Sequence, residues 1–87
     1  MQKCKVVKLD EDVYEIQIGC KNFSECYVER GHICVGDEEV GVVYYCDYFF
    51  YGNHIESDDY DDLDSLKEHL KDELDLSDHA INKIIFN

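Results

Sequence analysis

Apolar residues recur every second position through the first half of the chain and every third or fourth position after residue 58, so strands are expected first and helices last. "KCKVVKL" (3–9) and "VYEIQIG" (13–19) are β-rich runs separated by "DED", which predicts an antiparallel hairpin. In the second run Tyr14, Ile16 and Ile18 alternate with Val13, Glu15 and Gln17, giving one apolar and one mixed face. "CKNFSEC" (20–26) reads as a loop. "CYVERGHICVG" (26–36) fits either a hairpin turning at Arg30-Gly31 or, the reading taken here, a loop followed by one short strand.

"EVGVVYYCDYFFYG" (39–52), after the "GDEE" turn, is the strongest strand. Val40, Val42, Tyr44, Cys46, Tyr48 and Phe50 share one face, while Val43, Tyr45, Asp47, Phe49 and Tyr51 share the other. Apolar groups on both faces predict a central strand. Gly52-Asn53 ends it.

From Asp58 the period becomes helical. Tyr60, Leu63, Leu66, Leu70 and Leu74 form one stripe, with Asp58 or Asp59 as the expected cap. "LDL" breaks the run, and Ser77 is placed to cap a final helix carrying Ala80, Ile81, Ile84 and Ile85. The expected fold is α+β in a single domain over residues 1–87, ordered β-β-(β)-β-α-α. A small antiparallel sheet of three to four strands carries the C-terminal helices on one face. Two helices can cover only one face, so either Tyr44, Tyr48 and Phe50 or Tyr45, Phe49 and Tyr51 are left on the other, where loops and the N-terminal segment cover them or they form a patch suited to a partner or a homodimer.

Composition changes this picture in one respect. The 87 residues carry 21 Asp and Glu against 8 Lys and Arg, a net charge of −13. Such a chain is not expected to bind nucleic acid directly or to approach an anionic membrane, and its natural partner is basic. No window reaches the ~20 apolar residues of a membrane span. Five cysteines, an odd number, and no apolar leader within residues 1–25 point to a reduced, cytoplasmic protein with free thiols.

The charge is concentrated on the predicted helix. Residues 55–78 hold eleven carboxylates and two lysines. At about 100° per residue, Asp61, Asp64, Glu68, Asp72 and Asp75 fall within roughly one 80° sector away from the leucines, spanning ~21 Å. Lys67 and Lys71 lie between this line and the apolar stripe; Asp62 and Glu73 flank the stripe on its other side. Like charges three or four apart each cost a helix ~0.2–0.5 kcal/mol, and four in succession cost roughly 1–2 kcal/mol. A solubilising face ordinarily mixes both signs. A row of carboxylates spaced near ~5 Å is instead of the same order as the ~3.4 Å axial step between phosphates of one DNA strand. Asp58, Asp59 and Asp62 extend the candidate surface.

In size, charge and layout, with its proline-free sequence and this carboxylate row, the chain resembles the small phage-encoded DNA-mimic inhibitors, a functional class that includes anti-CRISPR and anti-restriction proteins. The resemblance implies a non-enzymatic inhibitor that blocks the nucleic-acid site of a basic host defence protein in the bacterial cytoplasm. The partner-binding residues expected are Asp58, Asp59, Asp61, Asp62, Asp64, Glu68, Asp72 and Asp75. The alternative is an acidic immunity or antitoxin-like protein neutralising a basic partner.

Other chemistry has less support in the sequence. Cys20, Cys26, His32 and Cys34 invite zinc, but C-x5-C-x5-H-x-C misses the usual close cysteine pair, so no metal or cofactor is expected and the domain should fold without one. "SDDYDDLDS" lacks the glycine and distant glutamate of an EF-hand loop. No phosphate loop, nucleophile elbow or histidine–carboxylate pair at a motif spacing appears, and Cys46 lies in a strand that reads as core. His69 lies away from the leucines and should be exposed.

Overall fold

The computed structural model describes residues 5–18 and 23–86, an α+β fold whose five strands form one antiparallel meander in the order β1-β2-β3-β4-β5. The strands are β1 (Lys5–Asp10), β2 (Val13–Gln17), β3 (Glu25–Val35), β4 (Glu38–Phe50) and β5 (Asn53–Tyr60). Two short helices follow, α1 (Leu63–Leu74) and α2 (Asp78–Ile81).

The period-2 pattern of the sequence sets which face carries the helices. Tyr14, Ile16, Cys26, Val28, Cys46 and Tyr48 point to one side, where they bury against Leu66, Leu70, Leu74, Leu76, Ala80, Ile81 and Ile84. Ile85 and Phe86 close this layer. The Tyr14 hydroxyl donates to the Ile85 carbonyl at 2.7 Å, and Phe86 meets the Tyr14 ring edge-on at 5.4 Å. No helix among the described residues is long and apolar enough to cross a membrane.

Three sequence expectations are corrected. The sheet has five strands, not three or four. Residues 25–35 are one continuous strand with Arg30 and Gly31 in its middle, paired with Tyr44 and Val43, so neither the loop nor the Arg30-Gly31 hairpin forms. Of the expected loop at 20–26, residues 20–22 lie outside the described residues and Glu25 and Cys26 belong to β3.

The third correction concerns the start of the helix. Asp58, Asp59 and Tyr60 are strand residues, paired with Cys46, Tyr45 and Tyr44. Residues 53–60 have little β propensity, but β4 has a second edge of unpaired backbone groups, and a ladder of backbone hydrogen bonds does not depend on side chains. A tight turn delivers them: Tyr51 and Gly52 both have positive φ, 48° and 85°, the pairing that suits a two-residue hairpin between twisted strands. The helix is then capped by Asp62 rather than Asp58 or Asp59. The Asp62 carboxylate accepts from the Ser65 amide at 2.9 Å and from its hydroxyl at 2.8 Å, which holds its pKa below the ordinary value. Asp75 ends α1 in the left-handed region, and Ser77 caps α2 as expected, accepting from the Ala80 amide at 3.2 Å, but α2 stops at Ile81, so Ile84 and Ile85, expected on it, lie beyond its end.

β2 accompanies β3 only as far as Glu29, and β5 accompanies β4 only as far as Tyr44. Residues 31–43 therefore pair only with each other and extend as a two-stranded arm, in a molecule measuring 45 × 27 × 21 Å. Its apolar residues Ile33, Val35 and Val40 are 48%, 69% and 57% exposed. The arm is tied at its base. Arg30 bonds Asp12 through Nε and Nη2, both at 2.7 Å, and His32 bridges Asp12 and Glu39.

This base is pH-sensitive. Hydrogen bonding to Glu39, then to Asp12, raises the His32 pKa above its ordinary 6.5. The stabilisation is therefore complete below that ordinary value and is lost as pH rises through the higher folded-state value. Arg30 lowers the pKa of Asp12 below 3.8, so its contribution is lost only on strong acidification. The arm is expected to be held best between the two ordinary values and to loosen as pH rises through the raised His32 value. An NMR titration of the His32 ring should give a midpoint above 6.5, returning toward 6.5 in Glu39→Gln; an unshifted wild-type midpoint would disprove the bridge.

Candidate functional site

The row of carboxylates is made by the same helix that completes the core. Leu66, Leu70 and Leu74 seat α1 over β4 and β5, and helical periodicity turns Asp64, Glu68 and Asp72 outward. All three are exposed, as are Asp61, just before the helix, and Asp75, its C-cap. Among the described residues, none of these five forms an ion pair. Lys71, between Glu68 and Asp72, reaches to Asp78 at the start of α2, Nζ to Oδ1 2.7 Å. This link raises the Lys71 pKa and lowers that of Asp78.

The structure shortens the row. With α1 beginning at Leu63, Asp61 leaves the helical register, and Asp64 to Asp75 covers ~16 Å at 1.5 Å per residue rather than ~21 Å. The other three expected residues do not join it. Asp62 is held by its capping bonds to Ser65. Asp59 pairs with Tyr45, and strand alternation puts it on the sheet face opposite the helices. Asp58 faces α1 and lies 3.2 Å from His69, Oδ2 to Nε2.

His69 is accordingly half-buried, not exposed as the helical wheel implied. Its ring sits 5.5 Å from that of Tyr60 and 6.2 Å from that of Tyr48. The sequence offers no signal for the Asp58–His69 approach, because it depends on residues 53–60 forming a strand. Cys46, fully buried, and Cys26 behind it keep their thiols protonated: burial pushes Cys46 up to about 11 and Cys26 higher. A thiol so held is no nucleophile at neutral pH.

The zinc grouping considered from the sequence is not assembled. Cys26 is buried in the core and Cys34 is exposed on the arm, eight strand residues or roughly 26 Å away. His32 is committed to Asp12 and Glu39; Cys20 lies outside the described residues.

The face of the sheet opposite the helices carries Tyr45 and Phe49, while Tyr51, expected to share it, lies in the turn after β4 with its ring against that of Phe50. Phe49 packs edge-on against both Tyr27 and His54, with ring centroids 5.4 and 5.2 Å away. The Tyr27 hydroxyl donates to Glu15 and Glu25 at 2.9 and 3.1 Å, raising its pKa to about 12. Tyr45 and Tyr51 are 37% and 79% exposed. The Tyr45 ring covers Gly31, where an added Cβ would fall 2.8 Å from the ring. This face is therefore aromatic at its centre with carboxylates set around the rings. No family model, curated protein or solved structure matches the chain, so a functional reading rests on these surfaces alone.

Proposed function

We propose that the protein is a non-enzymatic DNA-mimic inhibitor, of the anti-CRISPR or anti-restriction type, that occupies the nucleic-acid-binding site of a basic protein in the bacterial cytoplasm. The observation that carries this reading is the outward row Asp64, Glu68, Asp72 and Asp75, with Asp61 at its approach, on a helix anchored by its opposite face. Anchoring matters because a rigid array presents its charges without the ordering cost of a flexible acidic tail. A channel of Lys and Arg shaped for a phosphate backbone attracts such a row and is blocked by it. Asp61, Asp64, Glu68, Asp72 and Asp75 form the proposed contact, and Asp58 and Asp62 support it from within the fold. Self-association through Tyr45 and Phe49 on the face opposite the helices belongs to the same proposal.

The test is an affinity pull-down from bacterial lysate with the full chain as bait. The expected capture is a nucleic-acid-binding protein released by moderate salt and displaced by added duplex DNA. Capture of a basic toxin that DNA does not displace would favour the immunity reading. If the only proteins retained are insensitive to both salt and DNA, the mimic is refuted. The chain itself should not retard DNA in a gel at low salt, since −13 charges repel a polyanion.

A further inference from the structure

Cys46 of β4, Asp58 of β5 and His69 of α1 each bring one ligating atom to a common point, and the three atoms lie within 4.8 Å of one another. The residues are twelve and eleven positions apart, so no spacing motif announces them. We propose that this cluster is a binding site for a divalent transition-metal ion of the zinc class, fastening α1 to the sheet.

The donor chemistry supports the assignment. A sulfur, an imidazole nitrogen and a carboxylate oxygen together suit Zn2+ and its neighbours and do not suit Mg2+ or Ca2+, which take oxygen donors. Geometry supports it too. The His69 Nε2 is shielded from solvent and, though 3.2 Å from Asp58 Oδ2, makes no aligned hydrogen bond. In a tetrahedral site with bonds of ~2.0–2.1 Å, two such ligand atoms stand ~3.3 Å apart, and sulfur at ~2.3 Å stands only slightly farther. The 3.2 Å between His69 Nε2 and Asp58 Oδ2 fits that spacing, and the Cys46 sulfur lies within 4.8 Å of both.

Charge balances as well. A 2+ ion meets the Asp58 carboxylate and a Cys46 thiolate, giving a neutral centre at the core boundary. Binding replaces the thiol hydrogen: the S–H bond breaks, a sulfur–metal bond forms, and the proton leaves to solvent. Cys46 is fully buried, while the His69 and Asp58 side chains are 27% and 38% exposed, so the ion has a path in from their side. The Tyr48 hydroxyl, 3.7 Å from Cys46 Sγ, or a water completes the fourth position. The core that Leu66, Leu70 and Leu74 form with the sheet is expected to fold the chain without the ion, which adds a staple between three elements.

The site is independent of the inhibitor reading and is tested on the reduced, chelator-treated full chain with Co2+ alone as probe. One equivalent should bind with a near-ultraviolet thiolate-to-cobalt charge-transfer band and the strong visible bands of four-coordinate cobalt, and one equivalent of Zn2+ should erase both. Cys46→Ser should abolish the charge-transfer band, and Cys34→Ser should leave it unchanged. His69→Gln and Asp58→Asn, at partly exposed positions, should stay folded by circular dichroism and weaken cobalt binding by at least ~100-fold, since losing a ligand costs no less than losing an outer partner of one. Should Cys46→Ser not fold, those two variants decide. The site is refuted by cobalt binding without a thiolate band, by a band surviving in Cys46→Ser or lost in Cys34→Ser, or by wild-type affinity in His69→Gln and Asp58→Asn.

Discussion

Alanine at Leu70 should destabilise the domain by about 2–5 kcal/mol, the range for removing a fully enclosed leucine and leaving a cavity. Leu70 has no exposed surface, sits between Leu66 and Leu74 in the middle of α1, and is part of what holds the acidic helix on β4 and β5. A chain of 87 residues has roughly 4–13 kcal/mol of total stability. The loss is thus a large fraction of the whole, and it falls on the element that presents the carboxylate row. Urea denaturation should show a much lower midpoint with little change in slope, since about the same surface is exposed on unfolding. Leu63→Ala, at a half-buried position, should cost distinctly less. Equal, small effects at both positions would mean that α1 does not seat on the sheet.

The combined change Asp64→Asn, Glu68→Gln and Asp72→Asn should leave the isolated domain as stable as before or slightly more so, while weakening its captured partner's binding roughly tenfold. The first half follows because the like-charge neighbours, 64 with 68 and 68 with 72, each cost ~0.2–0.5 kcal/mol, a relief partly offset by losing the attraction of Lys71 for Glu68 and Asp72 and of the helix N-terminus for Asp64. The second half follows because three exposed charge pairs at ~0.2–1 kcal/mol each add to about one factor of ten in affinity. Wild-type binding should weaken steeply with salt, because exposed charges are screened within ~10 Å at 0.1 M, and the variant should respond less. Calorimetry of the domain and binding measurements over a salt series separate the two halves. A variant that unfolds, or one that binds its partner unchanged with an unaltered salt slope, would leave the row as a solvated face only. Asp62 is kept intact in this design because its carboxylate caps α1, and Asp58 because it faces His69.

What the sequence by itself determined are the features that rest on local periodicity or on charge. Alternation put Tyr14, Ile16 and Ile18 on one apolar face and grouped Cys46 with Tyr48 on one side of its strand, while the packing of the helices decided that this side of β4 is the core face. The leucines at steps of three and four placed the buried side of α1, and Asp64, Glu68 and Asp72 followed on its outer side. Ser77 was legible as a cap because the signal is a single residue at a fixed offset from the helix it starts. Tertiary structure decided whatever depended on pairing between distant segments. Residues 53–60 are polar and acidic, and only the open edge of β4 makes a strand of them. That pairing moves the helix start to Asp62, turns Asp58 inward and Asp59 to the far face, and brings Asp58 to His69 and Cys46. Likewise Gly31 reads as a turn in isolation, yet it lies in β3 under the Tyr45 ring, because the pairing of β3 with β4 on both sides of it outweighs one residue's local preference.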